Sequence, residues 1–215
     1  IEEYKKNAAN ERVEKEKGYK RASEEAQKRL EKSKSETHPY LASKGFNAEA
    51  GFVLDGTLLI PMRNVVTNDL QGLQMIYEAE EDGKKKFMKK MLPGMRAKDA
   101  VFVMGSRSVP ESWLVEGYAT GKSLHAALRL LGSTAKVIVC FSASNLVNVA
   151  SKIKGTRFVF ADNDKSGTGQ RVAKETGLPW ISADEEGWDA NDIHTNKGLY
   201  EVTKKIIELK SKLIV

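Results

Sequence analysis

From residue 2 to residue 34 apolar positions are sparse. Val13, Ala22, Ala26 and Leu30 make a thin stripe among Lys, Glu, Arg and Gln, with no Pro and one Gly, at position 18. That pattern predicts a charged, solvent-exposed helix, broken near Gly18, acting as a linker or packing arm, with direct nucleic-acid contact as the alternative. At His38-Pro39-Tyr40-Leu41 the chain turns compact. Asp55-Gly56 between apolar runs predicts a tight hairpin turn. Leu58–Arg63 predicts a strand, Asn68–Gly72 a turn and Leu73–Tyr77 a second strand by its period of two. Phe87–Met91 and Ala100–Gly105 predict two more, giving a mainly antiparallel meander.

Beyond Ser112 the pattern changes. Trp113–Val115, Val137–Phe141, Thr156–Ala161 and Leu178–Ile181 read as short buried strands. Thr120–Leu131, Ser144–Ile153 and Gly169–Thr176 read as the helices between them, and Leu199–Leu213 as a closing helix. Such alternation predicts a parallel sheet with helices on its faces. The fold class expected is therefore α/β: an α+β N-terminal subdomain, then a domain with a central parallel sheet flanked by helices. The corresponding segments are a charged arm or linker over 1–37, a basic subdomain over 38–110, the strand–helix domain over 111–198 and a C-terminal helix over 199–215.

Composition changes this picture little. One cysteine, Cys140, excludes an internal disulfide, and with three scattered histidines it excludes a zinc ribbon. Cys140 sits in an apolar run and reads as a buried small hydrophobe. No signal peptide or long apolar span occurs, which predicts a soluble, cytoplasmic protein with no membrane partner. The missing initiator Met suggests a fragment or a processed product. The formal charge of +6 is modest, but Lys84, Lys85, Lys86, Lys89, Lys90, Arg96 and Lys98 follow one another with no acid among residues 84–98. Such a block attracts phosphates, unless it is only a solvated hairpin.

The candidate chemistry lies where two apolar runs stop at carboxylates. Val115 is followed by Glu116-Gly117, and Phe158–Ala161 by Asp162-Asn163-Asp164. In open α/β sheets chemistry collects beyond the carboxyl ends of strands. Two neighbouring strands ending this way gather Glu116, Asp162 and Asp164 around one point. Three carboxylates need a counter-cation, and hard oxygen ligands suit Mg²⁺ or Mn²⁺. Glu116 precedes a helix start, whose dipole favours its anion; the plainer reading is an ordinary helix-start acid. In extended chain Asp162 and Asp164 face one side, and the backbone amides of Ser166-Gly167-Thr168-Gly169 are placed to cradle phosphate oxygens.

Taken together, Glu116-Gly117-Tyr118-Ala119-Thr120 with Ser123-Leu124, Phe141-Ser142-Ala143-Ser144-Asn145-Leu146 and Ala161-Asp162-Asn163-Asp164 resemble the Toprim domain, and more specifically the DnaG-type primases of plasmids and phages. Leu59–Asn64, Gly72–Ile76, Gly83–Phe87 and His38–Leu41 with Lys44-Gly45 resemble the RNA-polymerase subdomain of those primases. The resemblance covers roughly residues 38–200, with 111–198 as the Toprim domain. It implies a primase catalytic core: a nucleotidyltransferase making short RNA primers from ribonucleoside triphosphates on single-stranded DNA, in a bacterial cell or a phage-infected one. It further implies one or two Mg²⁺ or Mn²⁺ ions on Asp162 and Asp164, with Glu116 as a further ligand or general base. Arg63, Lys84, Lys85 and Lys86 would contact template or nucleotide. Lys122, where many relatives carry a smaller or neutral residue, would add positive charge near the metals.

Asp189-Ala190-Asn191-Asp192 resembles the motif that ends the Toprim region. Asp189 and Asp192, with Ser166 and Gly167, are candidates for the outer shell; a helix cap is the other reading of Asp189. The zinc-binding module of such primases is absent, as is any Gly-x-x-x-x-Gly-Lys-Ser/Thr loop. A helicase or zinc-binding partner would lie outside this chain. A Toprim nuclease and a non-catalytic nucleic-acid-binding relative are the alternatives.

Overall fold

A computed structural model describes residues 2–213. The chain divides into two compact units, residues 1–42 with 48–100, and residues 43–47 with 101–215.

The first unit opens with α1 (Glu2–Lys32), a single unbroken helix. The break expected at Gly18 does not occur. One glycine costs a helix about 1 kcal/mol against alanine, and strong helix formers flank it. Ala22 and Ala26 then bury themselves against Leu59, Leu73 and Leu92. The exposed helix of the sequence reading is thus packed over its second half.

After it come β1 (Lys34–Thr37), α2 (Pro39–Ser43), β2 (Ala50–Leu54), β3 (Thr57–Asn64), β4 (Leu70–Glu81) and β5 (Lys84–Met91). The strands form an antiparallel meander, β1-β2-β3-β4-β5. Two tight turns set its register. Leu54 pairs with Thr57 and Glu81 with Lys84. Between them Asp55-Gly56 and Asp82-Gly83 all take positive φ (47°, 71°, 53° and 71°). That is the left-handed geometry of two-residue hairpins, which asparagine, aspartate and glycine tolerate.

The second unit holds β6 (Ala100–Met104), β7 (Ser112–Val115), α3 (Tyr118–Leu130), β8 (Lys136–Val139), α4 (Ala143–Ala150), β9 (Arg157–Ala161), α5 (Thr168–Glu175), β10 (Trp180–Ser182), α6 (Ala190–Lys197) and α7 (Leu199–Ser211). Here β8-β7-β9-β10 lie parallel in that order. β6, expected within the meander, pairs antiparallel with β8. α3 packs with α6 and α7, while α4 packs with α5, so helices flank the sheet in two groups. Trp113, Leu114, Val115, Val137, Val139, Val159 and Phe160 are fully buried, as a sheet covered on both faces requires.

This order positions the site. From β7 the chain goes through α3 to β8 on one side. From β8 it crosses to β9 on the other side of β7, then continues through α5 to β10. Connections from neighbouring strands β7 and β9 therefore run to opposite sides, the switch point beyond whose strand ends open α/β sheets place their ligands. Glu116 follows β7 and Asp162 follows β9.

Candidate functional site

The loop after β7 is short. The carbonyl of Glu116 accepts from the Phe141 N–H at 2.9 Å, and that of Val115 from the Cys140 N–H at 2.9 Å. Three strand ends, β7, β8 and β9, thus open on one edge. Glu116 is half-buried, and its carboxyl is pushed up from its ordinary value, first by burial and then by Asp164. Cys140 is wholly buried, and its thiol is pushed up by burial and then by Glu116. It is no nucleophile.

Asp162 carries the strongest perturbation. Burial, then the carboxylates of Asp189, Glu116, Asp164 and Asp192, push it up to about 7. Its Oδ1 is buried with no hydrogen-bond partner among the described residues. An acid held like this is short of a positive charge.

Asp164 is held in the opposite way. β9 ends at Ala161, so strand alternation does not govern the next three residues. Asp164 turns into the first turn of α5. Its Oδ2 accepts from the Gly169 N–H at 2.8 Å and its Oδ1 from the Thr168 N–H at 3.2 Å, and the Ser166 hydroxyl donates to Oδ1. These bonds hold it down at about 2, the Ser166 hydroxyl contributing most. The amides of Thr168 and Gly169 are thereby occupied by Asp164. The phosphate cradle expected there is filled from within the chain.

Two residues named only as parts of motifs, Gly169 and Asn163, build this corner. A Cβ on Gly169 would fall 2.2 Å from the Asp162 carbonyl oxygen, so only glycine lets α5 begin this close to β9. Asn163, between the acids, is a clamp. Its Nδ2 donates to the carbonyls of Ala183 (3.1 Å) and Glu185 (3.0 Å), and its Oδ1 accepts from Gln170 Nε2 at 2.7 Å. Its N–H donates to the Trp188 carbonyl at 3.0 Å. One side chain fastens the 183–188 loop to the edge. Its position between two acids is the only trace it leaves in sequence.

Asp189 is the N-cap of α6. Its Oδ1 accepts from the N–H groups of Asn191 (2.6 Å) and Asp192 (3.0 Å), Thr120 Oγ1 donates to its Oδ2 at 2.7 Å, and Asp192 accepts from its N–H at 3.0 Å. This is a reciprocal capping box. Asp189 and Asp192 act on Asp162 through their charge while their oxygens hold the helix start. Ser166 and Gly167 shape the α5 turn, with Gly167 at φ 67°.

Each basic candidate has contacts of its own. Lys122 Nζ stands over the rings of Phe46 (4.9 Å) and Tyr118 (5.9 Å). Arg63 donates to the Asn68 carbonyl at 3.2 Å. The run 84–86 begins β5, and strand alternation splits it between two faces. Lys85 pairs with Glu78 at 2.7 Å and Lys86 with Glu81 at 2.9 Å, both on β4. A block free of acids in sequence is therefore partly neutralised by its partner strand.

A divalent cation suits the acid edge by its chemistry. Hard oxygen donors repel one another there, and one buried oxygen lacks a partner. Among the described residues no three Asp, Glu, His or Cys side chains close into a metal cage. Mg²⁺ does not need one, since it is commonly bound by one or two carboxylates, with water and substrate phosphates completing its shell.

No helix among the described residues is long and apolar enough to cross a membrane. No protein-family model matches the chain, and no curated protein matches it. Among solved structures it is similar to one described as the structure of the DnaG catalytic core, at 12% identity and a TM-score of 0.42. That match covers 77% of this chain and 58% of the other. The chain thus spans little more than half of that protein's length.

Proposed function

We propose that the edge formed by Glu116, Asp162 and Asp164 is a metal-dependent phosphoryl-transfer centre of the Toprim kind, and that the chain is a primase catalytic core joining ribonucleotides on single-stranded DNA. The observation carrying this reading is the pairing of β7 with β9. It sets two acid-bearing strand ends side by side in a parallel sheet, where Asp162 is pushed up to about 7 with an oxygen left unpartnered.

In this reading Asp162 and Asp164 hold Mg²⁺ or Mn²⁺, with Glu116 as a further ligand. A bound divalent cation supplies neutralisation of phosphate charge and a lowered pKa for a coordinated hydroxyl. Glu116, raised by burial and by Asp164, is suited to take the proton of the attacking hydroxyl. Asp164, held low by Ser166 and by the α5 amides, stays ionised throughout. Asn163 fixes the spacing of the two aspartates by anchoring the 183–188 loop. Partners in the reading are template DNA, ribonucleoside triphosphates, and a helicase or zinc-binding module on another chain.

A Toprim nuclease would use the same carboxylates with water as nucleophile. Incubation with single-stranded DNA, labelled ribonucleotides and Mg²⁺ or Mn²⁺ separates the readings. New primers support the primase, shortened DNA the nuclease, and neither product a non-catalytic binder.

A further inference from the structure

The first unit has a groove of about 490 Å³ between the end of α1 and the meander, lined by Lys28, Lys32, Thr57, Leu59, Met75 and Tyr77 among others. Register shows what shares this face. Tyr77 lies opposite Met88, Met75 opposite Lys90 and Leu59 opposite both Met75 and Phe52. Directly opposed residues of antiparallel strands project to the same side. The α1 side of the sheet therefore presents two aromatics that the core does not claim, Tyr77, half-buried, and Phe52, 48% exposed.

Cations line the Tyr77 end of this face. Lys90 Nζ stands 5.9 Å over the Tyr77 ring. Lys28 and Lys32 are exposed on α1, and no described residue forms an ion pair with either. Of the acids in the groove, Glu25 is bonded to Arg29 at 2.7 Å and also feels the charges of Lys28 and Lys32, and Asp55 lies in the hairpin turn. Two rings on an open sheet face, one of them flanked by long cations, match the chemistry of a single strand, whose bases stack while its phosphates meet ammonium groups.

We propose that this face binds single-stranded DNA, with bases on Tyr77 and Phe52 and the backbone along Lys28, Lys32 and Lys90. It deepens the primase reading, on which the choice of DNA rests, by placing the template on the face that Lys84 and Lys86 share with Tyr77, and off the face of Lys85. Binding to a labelled oligothymidylate is measured by anisotropy in EDTA across a salt series, so the acid edge takes no part. Tyr77→Ala should weaken binding roughly tenfold, in line with the loss of one stacked base. Phe52→Ser, at a side chain outside the core, should weaken it too, with an unchanged circular dichroism spectrum. Lys28→Ala with Lys32→Ala should lower the log–log salt slope by about 0.7 for each lysine. An abasic strand should bind wild type no better than oligothymidylate binds Tyr77→Ala.

Wild-type affinity and slope in these variants overturn the proposal. So does a loss confined to Lys85→Ala, which lies on the other face, or a preference for duplex or RNA over single-stranded DNA. A wild type that binds the strand here yet makes no primer refutes the primase reading alone. Primer synthesis with unaltered binding in Tyr77→Ala refutes this inference alone.

Discussion

Asp162 and Asp164 stand two residues apart and are held in opposite electrostatic states. Asp162 is pushed up to about 7 by burial and four neighbouring carboxylates, with Oδ1 unpartnered; Asp164 is held down at about 2 by Ser166 and the amides of Thr168 and Gly169. One acid is arranged to need a cation. The other is already satisfied as an anion by the start of α5.

Their amide variants should therefore differ in sign. Asp162 binds its proton more tightly folded than unfolded, so its ionisation erodes stability as pH rises from the ordinary carboxylate range through about 7. Asp162→Asn should raise the melting temperature of the metal-free protein at pH 8. A gain on the order of 2 kcal/mol would be about 4–8 °C for a chain this size. The gain should vanish near pH 4. Asp164 contributes stability above the ordinary carboxylate range and loses it only as pH falls through about 2. Asp164→Asn should lower the melting temperature at pH 8. Equal shifts in the two variants would contradict the geometry.

Metal binding should compete with the Asp162 proton. Calorimetric titration of Mn²⁺ should show affinity rising up to about tenfold per pH unit below pH 7 and levelling above it, because one proton leaves per ion bound. Asp162→Asn should remove this dependence. A pH-independent affinity in wild type would mean the ion sits elsewhere.

Gly169→Ala would set a methyl group against the Asp162 backbone, which has no room to yield. A cost of about 1–3 kcal/mol is expected from overpacking. The rise in melting temperature that Mn²⁺ gives the wild type should shrink in the variant. Wild-type melting and an undiminished metal response would show that α5 does not need this close approach.

Much of this could be read in the sequence, because short apolar runs and abrupt carboxylates leave a local signature. Val115-Glu116 and Ala161-Asp162 mark strand ends whatever the sheet order. The failures come from information carried by partners. Lys85 and Lys86 look like free charge until β4 brings Glu78 and Glu81 beside them. β1, exposed and polar over Lys34–Thr37, has no apolar alternation and shows itself only by pairing with β2. The fate of the Ser166–Gly169 amides depended on which way Asp164 turned once β9 had ended. Gly18 reads as a break locally, but Ala22 and Ala26 on the core keep the helix whole.

The most direct test of the account is Mg²⁺-dependent incorporation of labelled ribonucleotides on a single-stranded DNA template, compared between wild type and Asp162→Asn after both are shown to be folded. The account expects template-dependent primers from wild type, none in EDTA, and at least a hundredfold less from the variant, on the order of 3 kcal/mol of lost transition-state stabilisation. Wild-type synthesis by Asp162→Asn, or no synthesis by folded wild type with Mg²⁺ or Mn²⁺, would contradict it.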